Sequence, residues 1–593
     1  MKDFFKSFFA SLLAIIVSGV IFFGFFVVVV ASISKSVTDK EVKKSDGSVL
    51  VIDLEKSIHE QGQSNSLAIL SHGSGYESGL YDITKALNHA KSDPAIKGIL
   101  IKLAPSPNGW ATMQQLRMAI IDFKTSHKFV YAYGEDISQG AYFAATAADS
   151  IYLNPAGNLE LKGFATVMAY FKGMLDKLEL QPEIFYAGKF KSATEPFRAD
   201  KISEPNRLQI QAFQGGLWGQ FLQAAAGFAQ TDSAHINALA VSGAVQFPGD
   251  ALKYKLVTGL KYWDEVEARI RAKTGQDDKD DVKYMSINDY TKDGGARDMK
   301  YSEDKIAVLM AEGEIVDGEQ KNDNEIASKT MCDEIRKLRL DDHVKAVVLR
   351  VNSPGGSALA SEVILRELKL LKEKKHLIVS MGDYAASGGY YISSGADSIF
   401  ALPNTITGSI GVFSMMFSID KLMKNKLGIT FDEVKNAPYA DLPTTSRPLT
   451  PEEGQIMQNS VDTIYALFKR HVSEGRRLNP ADVDSIAQGR VWTGSDALGI
   501  GLVDGMGGID RAIACAAGMA KLKDYRVATY PEASDKLNSL LRKFGISTSA
   551  DEAMKAALKE ELGGGYEWYD KLKSLSRTNG KAMMAMPYVL TVK

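Results

Sequence analysis

The stretch Met381-Gly382-Asp383-Tyr384-Ala385-Ala386-Ser387-Gly388-Gly389-Tyr390-Tyr391 sets one serine among small residues. A strand-like run, His376–Ser380, precedes it, and a helix-compatible run follows the two glycines. A strand–turn–helix corner of this kind can expose a hydroxyl and let a ligand approach the backbone closely. Serines at turns are more often structural, so any chemistry depends on a second group. A serine hydroxyl attacks only when something removes its proton. The usual base is a histidine oriented by a carboxylate. Here His343 and His376 stand where strands begin, and no histidine falls beside Ser387. A lysine can serve instead if burial or a neighbouring cation lowers its pKa. The segment Tyr186-Ala187-Gly188-Lys189-Phe190-Lys191-Ser192-Ala193-Thr194-Glu195-Pro196-Phe197 offers two lysines. They stand two residues apart, on one face if the segment is extended, so spacing does not separate them.

The elements that would position these groups come in two copies. Ile96–Ala104 matches Val344–Asn352, and Ser106-Pro107-Asn108-Gly109 matches Ser353-Pro354-Gly355-Gly356. Ala141-Tyr142 matches Gly389-Tyr390, and Ala148–Pro155 matches Ala396–Pro403, all at an offset near 248 residues. Strands such as Val49–Leu54 and Ile96–Leu103 alternate with helical spacing such as Leu80–Lys91, which argues for an α/β fold with crossover connections. Two domains are expected, at 47–270 and 304–525, with a polar linker over 271–303. A tail at 531–593 carries amphipathic helical patterns at 537–544 and 551–562. Alignment of Tyr142 with Tyr390 sets Gln139 where the second copy has Ser387. One copy keeps a serine and the other keeps a candidate base, as happens when two half-sites merge into one.

Composition narrows the alternatives. The chain has 593 residues and a net charge of −2, which argues against nucleic acid as a partner. Two distant cysteines, Cys332 and Cys515, exclude a disulfide framework. Eight histidines without ligand spacing give no metal site, and no phosphate-cradling glycine loop suggests a nucleotide. No cofactor is expected. Residues 8–33 form an uncharged apolar run long enough to span a bilayer, so 1–34 reads as an uncleaved transmembrane helix.

These features resemble signal peptide peptidase A of the long, tandem-repeat type, related more distantly to the Clp protease and crotonase folds. The resemblance rests on Ser353-Pro354-Gly355-Gly356-Ser357, Ala385-Ala386-Ser387-Gly388-Gly389-Tyr390 and Thr407-Gly408-Ser409-Ile410-Gly411-Val412. Lys191-Ser192-Ala193-Thr194-Glu195-Pro196-Phe197, Val491-Trp492-Thr493-Gly494 and Gly501-Leu502-Val503-Asp504 complete it. It implies two tandem Clp/crotonase-like domains and a serine peptidase with a Ser-Lys dyad. Ser387 would be the nucleophile, Lys191 the proton acceptor and Ser409 the group that orients the lysine. Backbone N–H groups of Gly355, Gly356 and Gly388 would form the oxyanion hole. The resemblance also implies a homotetramer at the inner (plasma) membrane, with its domains on the extracytoplasmic side. Its substrates would be peptides such as signal-peptide remnants. Two other classes stay in view. Acyl-CoA chemistry, as in the crotonase relatives, does not need the Ser387 and Lys191 pair. A non-enzymatic membrane scaffold would leave Ser387 unreactive.

Overall fold

The computed structural model describes residue 18 and residues 45–64, 76–277, 279–295, 302–322, 324–532 and 580–586. The candidate membrane span at 8–33, apart from Ser18, and the helical patterns at 537–544 and 551–562 lie outside them. Among the described residues no helix is long and apolar enough to cross a membrane.

Besides a short antiparallel pair, Gln63–Ser64 with Tyr76–Glu77, the strands of the first repeat are β1 (Ser48–Asp53), β2 (Ile96–Leu103), β3 (Phe129–Ile137), β4 (Ser150–Leu159), β5 (Gln181–Ala187), β6 (Gly259–Leu260) and β7 (Tyr284–Ser286). Those of the second are β8 (Lys305–Glu312), β9 (Glu314–Val316), β10 (Glu325–Ala327), β11 (Val344–Ser353), β12 (Gly355–Ser357), β13 (His376–Ala386), β14 (Ser398–Ala401), β15 (Ile406–Gly408), β16 (Val412–Ser418), β17 (Val491–Thr493), β18 (Gly505–Met506) and β19 (Arg526–Tyr530). One further strand, β20 (Ala582–Ala585), comes from the C-terminal tail.

Two mainly parallel sheets follow. The first has the order β6-β4-β3-β2-β1-β7 and the second β17-β15-β13-β11-β8-β19. Their central strands are near-continuous apolar runs because helices cover both faces. Lys305–Glu312, for example, is buried at every interior position. The stretch 271–303, read as a linker, contributes β7, which pairs in parallel with β1. Likewise β19, just past residue 525, pairs with β8.

Matching bonds tie the two copies to one plan. Tyr142 donates to the Leu256 carbonyl at 2.8 Å, and Tyr390 to that of Leu502 at 2.8 Å. Asp149 accepts from Val130 N at 2.8 Å, and Asp397 from Leu377 N at 2.9 Å. The copies are locked together by Arg350, wholly buried, which donates to Glu60 and Gln115 of the first repeat and to Ser380 of its own. Nearby, the Asp383 carboxylate accepts from Ala111 N, Thr112 N and Thr112 Oγ1 at 2.6–2.9 Å. A buried charge is tolerated only when paired and fully bonded, so these contacts resist sliding between the repeats.

A third sheet spans both copies in the order β10-β9-β12-β20-β16-β5. In it β5 of the first repeat runs antiparallel to β16 of the second, from Ala187 opposite Val412 to Gln181 opposite Ser418. This strand exchange carries the Tyr186–Phe197 segment into the second repeat.

Candidate active site

Ser387 stands where β13 stops and the helix Gly388–Ser393 starts. Its backbone is at φ 55°, ψ −112°, and its N–H donates to the Gly408 carbonyl at 2.8 Å. A non-glycine residue at positive φ costs about 1–3 kcal/mol and persists only where its surroundings impose it. Ser387 makes no side-chain cap for its helix, so its hydroxyl is left for another partner.

That partner is Lys191. Its Nζ lies 2.9 Å from Ser387 Oγ, 3.1 Å from Ser409 Oγ and 3.2 Å from the Ser409 carbonyl. The lysine is 1% exposed and both serines are wholly buried. None of its three partners is a carboxylate. Burial alone lowers its pKa from 10.5 to about 7. A neutral amine has two N–H groups and one lone pair. The two N–H groups suit the two Ser409 oxygens, which directs the lone pair at Ser387 Oγ.

Each neighbour is held in place. Lys191 ends the turn after β5 and precedes the short helical turn Ser192–Thr194. Gln209 ties that turn down, donating to the Phe190 carbonyl and to Ser192 Oγ at 3.1 Å, while its Oε1 accepts from Val491 N at 3.2 Å. Glu195, also buried, accepts from Asn206 Nδ2 at 2.8 Å and from the Ser203 hydroxyl. Gly489 backs the lysine closely; a Cβ there would meet Lys191 backbone and Cβ atoms at 2.6–2.8 Å. Ser409 follows β15 at φ 51°, and its N–H donates to the Arg490 carbonyl at 2.7 Å. The Val491-Trp492-Thr493 run is β17, antiparallel to β15, so that motif supports Ser409. Lys189 is exposed and lies over the Phe190 ring, away from this cluster.

Of the three glycines, Gly355 and Gly388 adjoin. A Cβ on Gly355 would sit 2.7 Å from Gly388 N, and its φ of +100° is open to glycine alone. Gly356 instead packs on β9, where a Cβ would meet the Ile315 carbonyl oxygen at 2.0 Å. The structure therefore brings together Lys191, Ser387 and Ser409, with Gly388 next to Ser387 and with Gly355 and Gly356 on the strand β12 beside it, where the Gly355 N–H donates to Ser353 Oγ at 3.1 Å. Sequence reasoning misses Gln209 and Gly489. Gly489 acts across the repeat boundary, and Gln209 joins the lysine's turn in its own repeat to Val491 N in the other, which no local pattern displays. Among the described residues no cluster of His, Cys, Asp and Glu could hold a metal ion.

Comparison with known proteins gives the family. Residues 122–277 and 369–523 match peptidase family S49, and residues 297–407 match Clp protease. The chain is 38% identical to Protease 4 of Salmonella typhi over 82% of its own length and 79% of that protein. It is 38% identical to Protease 4 of Haemophilus influenzae, over 73% of this chain and 72% of the relative. With the chloroplastic serine protease SPPA of Arabidopsis thaliana it shares 31% identity over 87% and 76%. The chain thus belongs to peptidase family S49 and is a serine-type peptidase.

Proposed function

We propose that Ser387 and Lys191 form a Ser-Lys dyad that hydrolyses peptide bonds. The observation that carries this reading is the buried Lys191 amine, 2.9 Å from Ser387 Oγ and with a pKa lowered to about 7. Neutral Lys191 takes the Ser387 proton as Oγ attacks the scissile carbonyl, then returns it to the leaving amine. Water completes the cycle by hydrolysing the ester. Ser409 holds the lysine through two bonds, as a base is held by a third group in other triads. Gly388 and Gly356 are the oxyanion donors; the Gly355 N–H is spent on Ser353 Oγ at 3.1 Å, which holds the loop that carries them.

The apolar run at 8–33 supports anchoring in a membrane; that the membrane is the inner one, the extracytoplasmic side for the two repeats and a homotetramer as the working assembly rest on the family resemblance alone. Anchoring would bring the site beside membrane-derived peptides, and signal-peptide remnants fit that setting. Hydrolysis of an unstructured apolar peptide by purified protein tests the dyad. Activity that survived in Ser387→Ala or Lys191→Ala would refute it.

A further inference from the structure

The repeat that holds the nucleophile also holds a polar network behind it. Tyr391 is wholly buried on the helix Gly388–Ser393, one turn past Ser387, and its N–H donates to the Ser387 carbonyl at 2.8 Å. Its hydroxyl donates to Glu362 Oε2. His471, 8% exposed, brings Nε2 to 3.1 Å from the same carboxylate oxygen. On the other side of that ring, Lys369 Nζ lies 3.0 Å from His471 Nδ1. The other carboxylate near the ring, Glu474, stands 3.8 Å from Nδ1, beyond hydrogen-bond reach. An ammonium group can only donate, so Nδ1 is the acceptor and the imidazole proton sits on Nε2, facing Glu362. Every bond then points towards one carboxylate: lysine to histidine, histidine to glutamate, tyrosine to glutamate.

Three helices meet in this network, and two of them start at the catalytic corner. Glu362 and Lys369 belong to Ala358–Lys372, which begins at Ser357, directly after Gly355 and Gly356. Tyr391 belongs to the helix that begins at Ser387 and Gly388. His471 and Phe468 come from Pro451–Arg476, and their rings pack on Tyr391 with centroids 5.4 and 4.8 Å away. The first two helices nearly touch: a Cβ on Gly388 would lie 2.7 Å from Ser361 Oγ. The tyrosine–glutamate bond therefore joins the carrier of Gly356 to the carrier of Gly388. Two N–H groups that must converge on one oxygen depend on how those carriers sit.

The first repeat folds without any of this. At the repeat offset, Tyr391 corresponds to Phe143, Glu362 to Gln114 and Lys369 to Ile121. The helices Glu204–Ala229 and Pro451–Arg476 are both 26 residues long, which sets Ala224 in the place of His471. None of these four side chains carries a charge, and the Gln114 amide is turned to Asn404 N and Gln220 instead. The network is thus not needed to build the corner, and it is present beside the nucleophile. We propose that Glu362 and His471 are positioning residues for the peptidase reaction: through Tyr391 they hold the nucleophile helix against the helix that follows Gly356, so that both oxyanion donors meet the same oxygen. This rests on the reading of Ser387, Gly388 and Gly356 as the catalytic corner. The network supports an interaction made only in the transition state, so its loss lowers kcat and leaves KM.

Tyr391→Phe, made in the full chain, removes one hydroxyl and leaves the ring on Phe468. On an unstructured peptide its kcat should fall about tenfold, with KM within about twofold. His471→Ala should give a similar fall. His471→Gln, whose amide again offers a donor and an acceptor, should recover kcat to within about threefold of the unaltered chain. A peptide aldehyde reads the oxyanion site without turnover. Ser387 Oγ adds to its carbon, the hydroxyl proton passes to Lys191, and the former carbonyl oxygen becomes the hemiacetal oxyanion. Tyr391→Phe and His471→Ala should bind the aldehyde about tenfold more weakly, yet bind the matching peptide alcohol, which forms no adduct, as the unaltered chain does. Unchanged aldehyde affinity in both variants, or equal weakening of aldehyde and alcohol, overturns the proposal. So does a His471→Gln variant no more active than His471→Ala. Ser387→Ala tests the underlying reading and should bind the aldehyde no better than the alcohol. Full aldehyde affinity in Ser387→Ala would defeat the catalytic corner and this proposal with it. Affinity lost in Ser387→Ala but kept in Tyr391→Phe and His471→Ala would defeat the positioning role alone.

Discussion

In the first repeat, β3 passes into its helix through Ser138, an extended cap at φ −69° whose hydroxyl accepts from Ala141 N. In the second, β13 passes into the matching helix through Ser387 at φ 55°, with no such cap. The residue opposite Ser387 is Gln139, whose amide is spent inside its own repeat. Its Oε1 accepts from Lys162 N and Gly163 N at 2.9 and 3.0 Å, and its Nε2 donates to the Gly163 carbonyl at 3.0 Å. One corner is a relaxed turn closed by a side chain. The other is a strained turn whose side chain is left free for chemistry. Likewise Lys191 is buried against the second repeat, whereas the residue at the same offset in that repeat, Tyr439, is 49% exposed. Duplication provided two scaffolds, and each now keeps the half of the site that the other lacks.

Removing either half should have the largest effect. Ser387→Ala or Lys191→Ala is expected to lower kcat/KM by about 10⁴-fold or more, measured on an unstructured peptide. A sharper trial restores a serine to the wrong copy. Ser387→Ala with Gln139→Ser should remain as inactive as Ser387→Ala alone, because the relaxed corner faces no buried amine. Activity in that double variant would dissolve the distinction between the copies. Gly355→Ala comes next, with about a 10²–10³-fold loss of kcat, because the added methyl would sit 2.7 Å from Gly388 N and displace the neighbouring oxyanion donors. The added methyl is incompatible with φ +100° and with a peptide carbonyl approaching that corner. Ser409→Ala keeps the backbone acceptor for Lys191 but loses one of its two bonds. A fall in kcat of about 10–100-fold is expected, with KM within about twofold, as for a lost orienting group.

Much of this is legible in the sequence for definite reasons. Gln139 opposite Ser387 can be read from the offset alone, since the repeats keep their tyrosine and their Ala-Asp-Ser-Ile run. Lys191 can be told from Lys189 only by resemblance, because both fit an extended segment. The structure separates them by ending β5 at Ala187, so the two lysines no longer share a face. The pairing of β5 with the second repeat, the bond from Val491 N to Gln209 and Gly489 behind the lysine depend on contacts more than two hundred residues apart. The tail reads as helix from its periodicity at 537–562. Its short strand at 582–585 is too brief and too methionine-rich to carry an alternating signal of its own.

The pH dependence follows from Lys191 alone, because the first repeat has no counterpart in its site. The amine is neutral only above about pH 7, so kcat/KM should rise through that value and fall below it. The buried amine has a stability consequence as well. Its folded pKa lies below the unfolded value of 10.5, so between the two the unfolded chain binds the extra proton. The cost is complete below about pH 7 and gone above about pH 10.5, falling by roughly 1.4 kcal/mol for each pH step between those limits. Lys191→Met should therefore melt at higher temperature than the unaltered protein at pH 7, and the gap should shrink as pH approaches 10. A gap that did not change with pH would mean that the lysine is not titrating in its buried position.

The smallest effect on activity is expected from the corner that has lost its chemistry. Gln139→Ala removes three hydrogen bonds from a buried side chain and strands the Lys162 and Gly163 amides. That should cost about 1–3 kcal/mol of stability, read from denaturant midpoints at constant m-value. The catalytic cluster lies in the other repeat and draws no contact from Gln139, so kcat/KM should stay within about twofold. If activity fell in step with stability, the first repeat's corner would be coupled to Lys191 through the helix Glu204–Ala229, whose Gln209 grips the lysine's turn and whose Phe221 lies against Tyr142. Gln139→Glu separates those outcomes. It keeps the acceptor for Lys162 N and Gly163 N but turns the donor towards the Gly163 carbonyl into an acceptor, so it should lose stability without touching the pH profile set by Lys191.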